Sequence, residues 1–220
     1  VAYGSRLGFR GTEDLGAGLR ANFLMEMGVA ADTGGLNQGG LAFGRQIFVG
    51  LENSNWSLTA GRQYTPMNAA VASFEALNGG YWGNVTAQAV AAYESIGATA
   101  GDGTPTGGRA DNSLMGTLSS GGLTGKLMVT AGNENSRGTG QLINASVAYT
   151  SGPLSATAVV GGVRQGAAMI TTTASPEWMR SWMVGAKYDF GVAKVFAGAY
   201  QFTGPQNFAN LSSVATLGAP

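Results

Sequence analysis

Charged side chains at alternate positions are the residues of this sequence that could do chemistry. Arg6 and Arg10 alternate with Leu7 and Phe9, and in a strand this spacing puts the arginines on one face and the apolar pair on the other. A similar alternation surrounds Arg20, Glu26, Arg109 and Asp111. We therefore expect these groups to point to water, where clusters of charge select ions and orient polar solutes.

Bond-breaking chemistry has little support in the sequence. The 220 residues include no cysteine and no histidine, which excludes disulfides, thiol nucleophiles, zinc sites built on those residues and imidazole bases. Gly125 and Lys126 resemble the end of a phosphate loop, but Leu127 stands where that loop needs Ser or Thr. We expect no enzyme, no cofactor and no metal. The net charge of +0 argues against nucleic acid as a partner.

A recurring period-two pattern predicts that β-strands carry the charged groups. Leu19–Met27, Leu142–Thr150 and Arg180–Phe190 each combine an apolar face with a small or polar face. Charged residues make up 11% of the chain, under half of the roughly 25% usual in soluble domains. We predict an all-β protein, a transmembrane antiparallel β-barrel with lipid outside and water inside. A secreted β-sandwich is the alternative.

About ten strands are predicted, joined by turns that alternate between short and long. Thr12–Gly18 and Ser119–Gly125 are predicted as turns because they are rich in small and polar residues. Gln63–Gly108 breaks the rhythm, and its Ala-rich part Pro66–Leu77 predicts a short helix. The predicted strands are Ser5–Gly11, Leu19–Met27, Arg45–Leu51, Trp56–Arg62, Arg109–Leu118, Lys126–Gly132, Leu142–Thr150, Leu154–Val163, Arg180–Phe190 and Val195–Phe202.

Aromatic residues cluster near the short turns, which favours a belt at a membrane–water interface. The belt is predicted to contain Trp56, Tyr149, Tyr188, Phe190 and Phe196. Ordinary packing in a sandwich core is the alternative. In the long irregular segment, Tyr64, Tyr81 and Trp82 are expected to pin the loop to the wall rather than to guide solutes.

Five short motifs, in family order over most of the chain, resemble those of general trimeric porins from β-proteobacterial outer membranes. The resemblance implies a sixteen-stranded barrel, a homotrimer in outer-membrane lipid and lipopolysaccharide, and a third loop, here Gln63–Gly108, folded inward as a constriction. It also implies that residues 1–220 form a single, partial barrel domain. The motifs are Ser5–Gly18 (SRLGFRGTEDLGAG), Gly44–Leu51 (GRQIFVGL), Gly61–Pro66 (GRQYTP), Arg109–Leu114 (RADNSL) and Tyr188–Tyr200 (YDFGVAKVFAGAY).

The same resemblance implies which charges line the constriction. Arg6, Arg45 and Arg109 occupy the positions of the wall arginines of the family, although the apolar alternation after Arg45 leaves its direction open. Glu75 and Glu94 lie in the candidate constriction loop. The full set of expected pore-lining residues is Arg6, Arg10, Arg20, Glu26, Arg45, Arg62, Glu75, Glu94, Arg109 and Asp111.

These features predict passive diffusion of small hydrophilic solutes and ions through a water-filled pore. Because arginines outnumber acids at the expected narrow point, we expect a preference for anions. A substrate-specific outer-membrane channel and a secreted β-sandwich adhesin are the alternatives.

Overall fold

The computed structural model describes residues 4–74, 108–134, 138–164, 177–204 and 214–218, which form an antiparallel sheet of eleven strands. The order of the strands in the sheet follows their order in the chain. Ten match predicted strands, and the last adds one that the alternation had not indicated. The strands are β1 (Ser5–Gly16), β2 (Leu19–Val29), β3 (Gln46–Glu52), β4 (Trp56–Tyr64), β5 (Arg109–Ser120), β6 (Leu123–Thr130), β7 (Leu142–Ser151), β8 (Leu154–Arg164), β9 (Trp178–Asp189), β10 (Lys194–Thr203) and β11 (Val214–Gly218).

Short turns join the strands at one end of the sheet, and longer connections join them at the other. Two predicted turns are present but much shorter than expected, since most of Thr12–Gly18 and Ser119–Gly125 is strand. The first turn is only Ala17–Gly18, with φ of 50° and 77°, and the second is Gly121–Gly122, with φ of 58° and 81°. Two residues with positive φ close a tight hairpin whose twist matches the strands. The polar residues next to each turn still belong to the strands, because the hydrogen bonds of the sheet are made by backbone groups and not by side chains.

One face of the sheet exposes a continuous apolar surface. Val49 is 63% exposed and Leu118 is 69% exposed. Soluble proteins rarely expose such a surface, whereas a barrel in a bilayer presents it to lipid. We call this the outer face and the opposite one the inner face. The outer face carries Leu7, Phe9, Phe23, Val49, Leu58, Leu114, Leu118, Leu127, Val147 and Val184.

After β4 the chain turns onto the inner face as helix α1 (Pro66–Phe74). Thr65 caps it, since its Oγ1 accepts a hydrogen bond from the backbone N–H of Asn68 at 3.1 Å, and proline suits the first helical position. Met67 and Val71 are fully buried. They belong to an apolar cluster that also contains Val159, Val163, Met179, Met183, Tyr200 and Phe202.

The predicted helix Pro66–Leu77 is confirmed over Pro66–Phe74, and this part of the long segment folds over the inner face as expected. The remainder of the candidate constriction loop, residues 75–107, lies outside the described residues. No helix in the described part of the chain is long and apolar enough to cross a membrane.

The aromatic belt is found in part. Tyr149 and Tyr188 are exposed on the outer face beside short turns, and the ring of Phe190 lies 4.5 Å from that of Tyr188. The prediction was wrong for Phe196, which is buried. Its register opposite Lys187 puts it on the inner face, so it cannot meet the interface.

Candidate functional site

Tyr64, the last residue of β4, is the centre of a group of cations at the end of the sheet with the longer connections. Its register partner is Arg109, the first residue of β5. Arg109 Nη2 donates a hydrogen bond to Tyr64 Oη at 2.5 Å, and its guanidinium carbon lies 4.3 Å from the ring centroid. Arg45 Nη2 donates to the same oxygen at 2.8 Å. Two guanidinium groups of like charge therefore share one phenolic oxygen.

Two carboxylates lie among these cations. Glu26 of β2 forms an ion pair with Arg45, whose Nε donates a hydrogen bond to Glu26 Oε1. Asp111 of β5 pairs with Arg62 Nη1 at 2.5 Å. Arg62 is only 6% exposed, and charge-assisted bonds at such a buried position fix the side chain. We call the group formed by Tyr64, Arg45, Arg62, Arg109, Glu26 and Asp111 the Tyr64 cluster.

A β-bulge opposite Arg62 helps to place this residue in the cluster. The register between β4 and β5 shifts just after Gly61, and the extra residue lies on β5, where Asn112 has φ of 50°. On β4, Gly61 has φ of 134°, and a Cβ there would collide with the carbonyl oxygen of Ile47, so this position requires glycine. Regular alternation would put Arg62 on the outer face. Instead its Nε donates to the carbonyl oxygen of Gly44 at 2.7 Å, because bulges redirect the side chains beside them.

A buried polar network lies next to the bulge. Thr59 Oγ1 donates to Gln63 Oε1 at 2.7 Å, and Gln63 Nε2 donates to Ser113 Oγ at 3.0 Å. Ser113 Oγ in turn donates to the carbonyl oxygen of Gly61 at 2.6 Å. No pattern in the sequence indicated this network, because hydroxyl and amide residues in a strand look like ordinary wall residues until the fold brings them together.

The structure brings five of the ten expected pore-lining residues into the Tyr64 cluster, and the other five lie elsewhere. Arg6 and Arg10 are exposed on the inner face of β1, and Arg6 lies opposite Gly28. Arg20 lies at the other end of the sheet, beside a short turn, where it pairs with Glu52 at 3.1 Å. The two loop acids, Glu75 and Glu94, lie outside the described residues.

The Tyr64 cluster carries an excess of positive charge. Its three guanidinium groups stand against two carboxylates, which leaves one positive charge, and arginine stays protonated at any physiological pH. The described residues contain no group of three side chains suited to hold a metal ion. Fixed cations on a wetted wall act on passing ions through their field rather than by making or breaking bonds.

The model of the Gram-negative porin family matches residues 1–219 of the chain. The chain belongs to the Gram-negative porin family. Proteins of this family are outer-membrane β-barrels, so the predicted fold and location are confirmed. The β-sandwich adhesin is thereby excluded.

Several known porins are similar to this chain. It is 31% identical to outer membrane porin protein 32 of Delftia acidovorans over an alignment of 205 residues that covers 87% of this chain and 52% of that protein. It is 42% identical to an outer membrane porin protein of Bordetella pertussis over 82 residues, 37% of this chain and 21% of that protein. An anion-selective porin from Comamonas acidovorans has a similar structure, with a TM-score of 0.73 and 28% identity over 91% of this chain and 58% of that chain. The chain therefore spans about half the length of the Delftia porin.

Proposed function

We propose that this porin is a passive diffusion channel for small hydrophilic solutes and ions, and that the Tyr64 cluster makes it prefer anions. The observation that carries the proposal is the convergence of Arg45 and Arg109 on the phenolic oxygen of Tyr64. Guanidinium groups held at one place along a watery passage lower the free energy of a passing anion and raise that of a cation.

The charge balance around the cluster supports the same direction. Glu26 and Asp111 offset two of the three arginines, and Arg6 and Arg10 add two more positive charges on the inner face of β1. The similarity to an anion-selective porin over 91% of this chain also supports anion preference.

The test is planar-bilayer recording with a salt gradient across the membrane, using protein purified from outer membranes. We expect a reversal potential toward the anion value. Arg109→Gln should move the potential toward the cation value, because it removes one fixed positive charge from the cluster. Arg20→Gln removes the same charge at the other end of the sheet, so it serves as the matched control and should change the potential little.

Each result bears on a separate part of the proposal. A cation-type potential in the unchanged protein would refute anion preference. An Arg109→Gln potential equal to that of the unchanged protein would show that the Tyr64 cluster does not set the preference. Conductance that saturates and is blocked by one solute at low concentration would indicate a substrate-specific channel instead.

We further propose that three copies assemble in the outer membrane and that residues 1–220 belong to one barrel domain in each copy. The resemblance of the sequence motifs to those of trimeric porins supports this assembly. Conductance should then appear in groups of three equal steps as protein enters the bilayer. Insertion in single, independent steps would contradict the trimer.

A further inference from the structure

The start of helix α1 has backbone N–H groups that need acceptors, because the first four such groups of a helix have none within it. Thr65, the residue before the helix, donates its N–H to the carbonyl oxygen of Gly108 at 3.0 Å. Pro66 has no N–H group. The N–H of Asn68 donates to Thr65 Oγ1. The remaining group is the N–H of Met67, and its acceptor comes from the wall of the sheet.

Asn144 of β7 supplies that acceptor. Its Oδ1 accepts a hydrogen bond from the N–H of Met67 at 3.1 Å, although 77 positions separate the two residues in the chain. Met67 is fully buried and Asn144 is 2% exposed, so the bond is shielded from water. A buried N–H group that loses its acceptor costs more free energy than an ordinary hydrogen bond contributes. The bond therefore favours one position of α1 against the wall.

The wall is shaped to hold the amide of Asn144. Gly161 lies opposite Asn144 in the register of β7 with β8. A Cβ at Gly161 would lie 2.6 Å from Asn144 Nδ2, so the amide occupies the space that a side chain on β8 would need. Asn144 Nδ2 also donates to the carbonyl oxygen of Ile143 at 3.1 Å. This second bond fixes the amide, and its Oδ1 is then directed to α1.

The apolar contacts of α1 with the wall are strong but not directional. Met67 and Val71 of the helix belong to one buried cluster with Val159, Met179 and Met183 of the wall. Hydrophobic contact depends on buried area rather than on direction, and methionine side chains adapt to small shifts. The hydrogen bond to Asn144 is directional, so it determines where along the wall the helix begins.

We propose that Asn144 is a positioning residue of the channel. By fixing the start of α1, it keeps the helix in one place on the inner face and keeps the free cross-section of the passage constant. The inference rests on the proposed channel function, because α1 packs on the face that forms the wall of the proposed pore. Asn144 carries no charge, so it acts on the size and steadiness of the current rather than on ion preference.

The experiment records single-channel currents in planar bilayers, with protein purified from outer membranes. Asn144→Leu keeps the approximate size of the side chain but removes the acceptor. Asn144→Asp keeps an oxygen acceptor, and a negative charge is favourable at a helix N-terminus. Gly161→Ala leaves Asn144 in the chain but displaces its amide. Asn22→Leu is the matched control, since it makes the same substitution on β2 and removes a bond to Glu52, whereas α1 packs on β6 to β10.

We expect Asn144→Leu to raise the fraction of time spent at reduced conductance about tenfold, the effect of one buried N–H group without an acceptor. Gly161→Ala should change the currents in the same direction. Asn144→Asp and Asn22→Leu should stay within about twofold of the unchanged protein, since one keeps the acceptor and the other leaves α1 in place. Hydrogen exchange of the α1 amides in detergent should become faster in Asn144→Leu and not in Asn22→Leu.

Two results would overturn the role of Asn144. One is an equal fraction of time at reduced conductance in Asn144→Leu and the unchanged protein. The other is an equal rise in Asn22→Leu, which would indicate a general loss of stability. Heat-dependent migration in gels shows whether each variant is folded. If Asn144→Leu does not fold, Gly161→Ala decides, and currents equal to those of the unchanged protein would then refute the inference.

A failure of the proposed channel function gives a different result. The unchanged protein would then show no conductance, and hydrogen exchange would still show whether Asn144 holds α1. A cation-type reversal potential would refute anion preference alone, because Asn144→Leu and Gly161→Ala change no charge.

Discussion

Tyr64 holds two arginines together without cancelling their charge. A carboxylate in its place would fix Arg45 and Arg109 equally well but would neutralise one of them. The phenolic oxygen accepts a hydrogen bond from each guanidinium, and a hydroxyl group brings no carboxylate charge to the site. Glu26 and Asp111 have the opposite effect, because each fixes an arginine and also offsets its field. The selectivity that we propose for this site therefore depends on which acceptors hold the arginines as well as on how many arginines there are.

Glu26→Gln should strengthen anion preference. The amide keeps the size of the side chain and can still accept from Arg45, but it removes one negative charge, so the positive excess of the Tyr64 cluster doubles. The anion-to-cation permeability ratio, measured from reversal potentials, should rise. Glu52→Gln is the control, because it removes the same charge beside a short turn, where Glu52 pairs with Arg20. A lower ratio for Glu26→Gln, or equal changes in the two variants, would contradict a local effect of the cluster.

At the scale of elements, the bulge between β4 and β5 is what converts a regular strand pair into a site. Without the shift at Gly61, Arg62 would face lipid, and it would meet neither Asp111 nor the carbonyl oxygen of Gly44. The cap of Thr65 then starts α1 directly after β4, so the helix and the Tyr64 cluster share the inner face.

Gly61→Ala should destabilise the protein by at least about 2 kcal/mol, since a side chain at positive φ is strained and this one also meets the Ile47 carbonyl oxygen. The unfolding midpoint in urea, followed by tryptophan fluorescence in lipid vesicles, should fall. Gly116→Ala is the matched control on β5, because a Cβ there has no atom within 4 Å. Equal midpoints for the two variants would show that β4 does not require glycine at this position.

The sequence predicted faces well and local breaks poorly. Period-two alternation correctly indicated the strands and the polar face of Arg6 and Arg10, because each strand repeats the same constraint over many residues. It left the direction of Arg45 open and could not foresee that of Arg62. One residue lies just before β3 and the other opposite a bulge in β5, and in both places the side-chain direction is set by partners distant in sequence. The predicted turns were too long for a related reason. Two residues with positive φ are enough to close each of these hairpins, and the polar residues beside them remain in the strands.

Over the whole molecule, charge and apolar surface are separated between the two faces of one sheet. Net charge is +0 and only 11% of residues are charged, yet the three arginines and two carboxylates of the Tyr64 cluster leave an excess of one positive charge at one place. The anion preference that we propose therefore depends on the placement of charge rather than on net charge.

Val147 and Ser146 offer a direct test of this separation, because they are neighbours on β7 that point to opposite faces. Val147 is 45% exposed on the outer face, whereas Ser146 lies on the inner face opposite Lys126. Val147→Asp should cost up to about 2 kcal/mol of stability in lipid vesicles, because it puts a carboxylate into hydrocarbon. Ser146→Asp adds the same charge opposite Lys126 on the inner face, so its unfolding midpoint should stay close to that of the unchanged protein. The opposite order of the two midpoints would mean that Val147 faces water and Ser146 faces lipid, which would reverse the assignment of inner and outer faces on which the proposed pore depends.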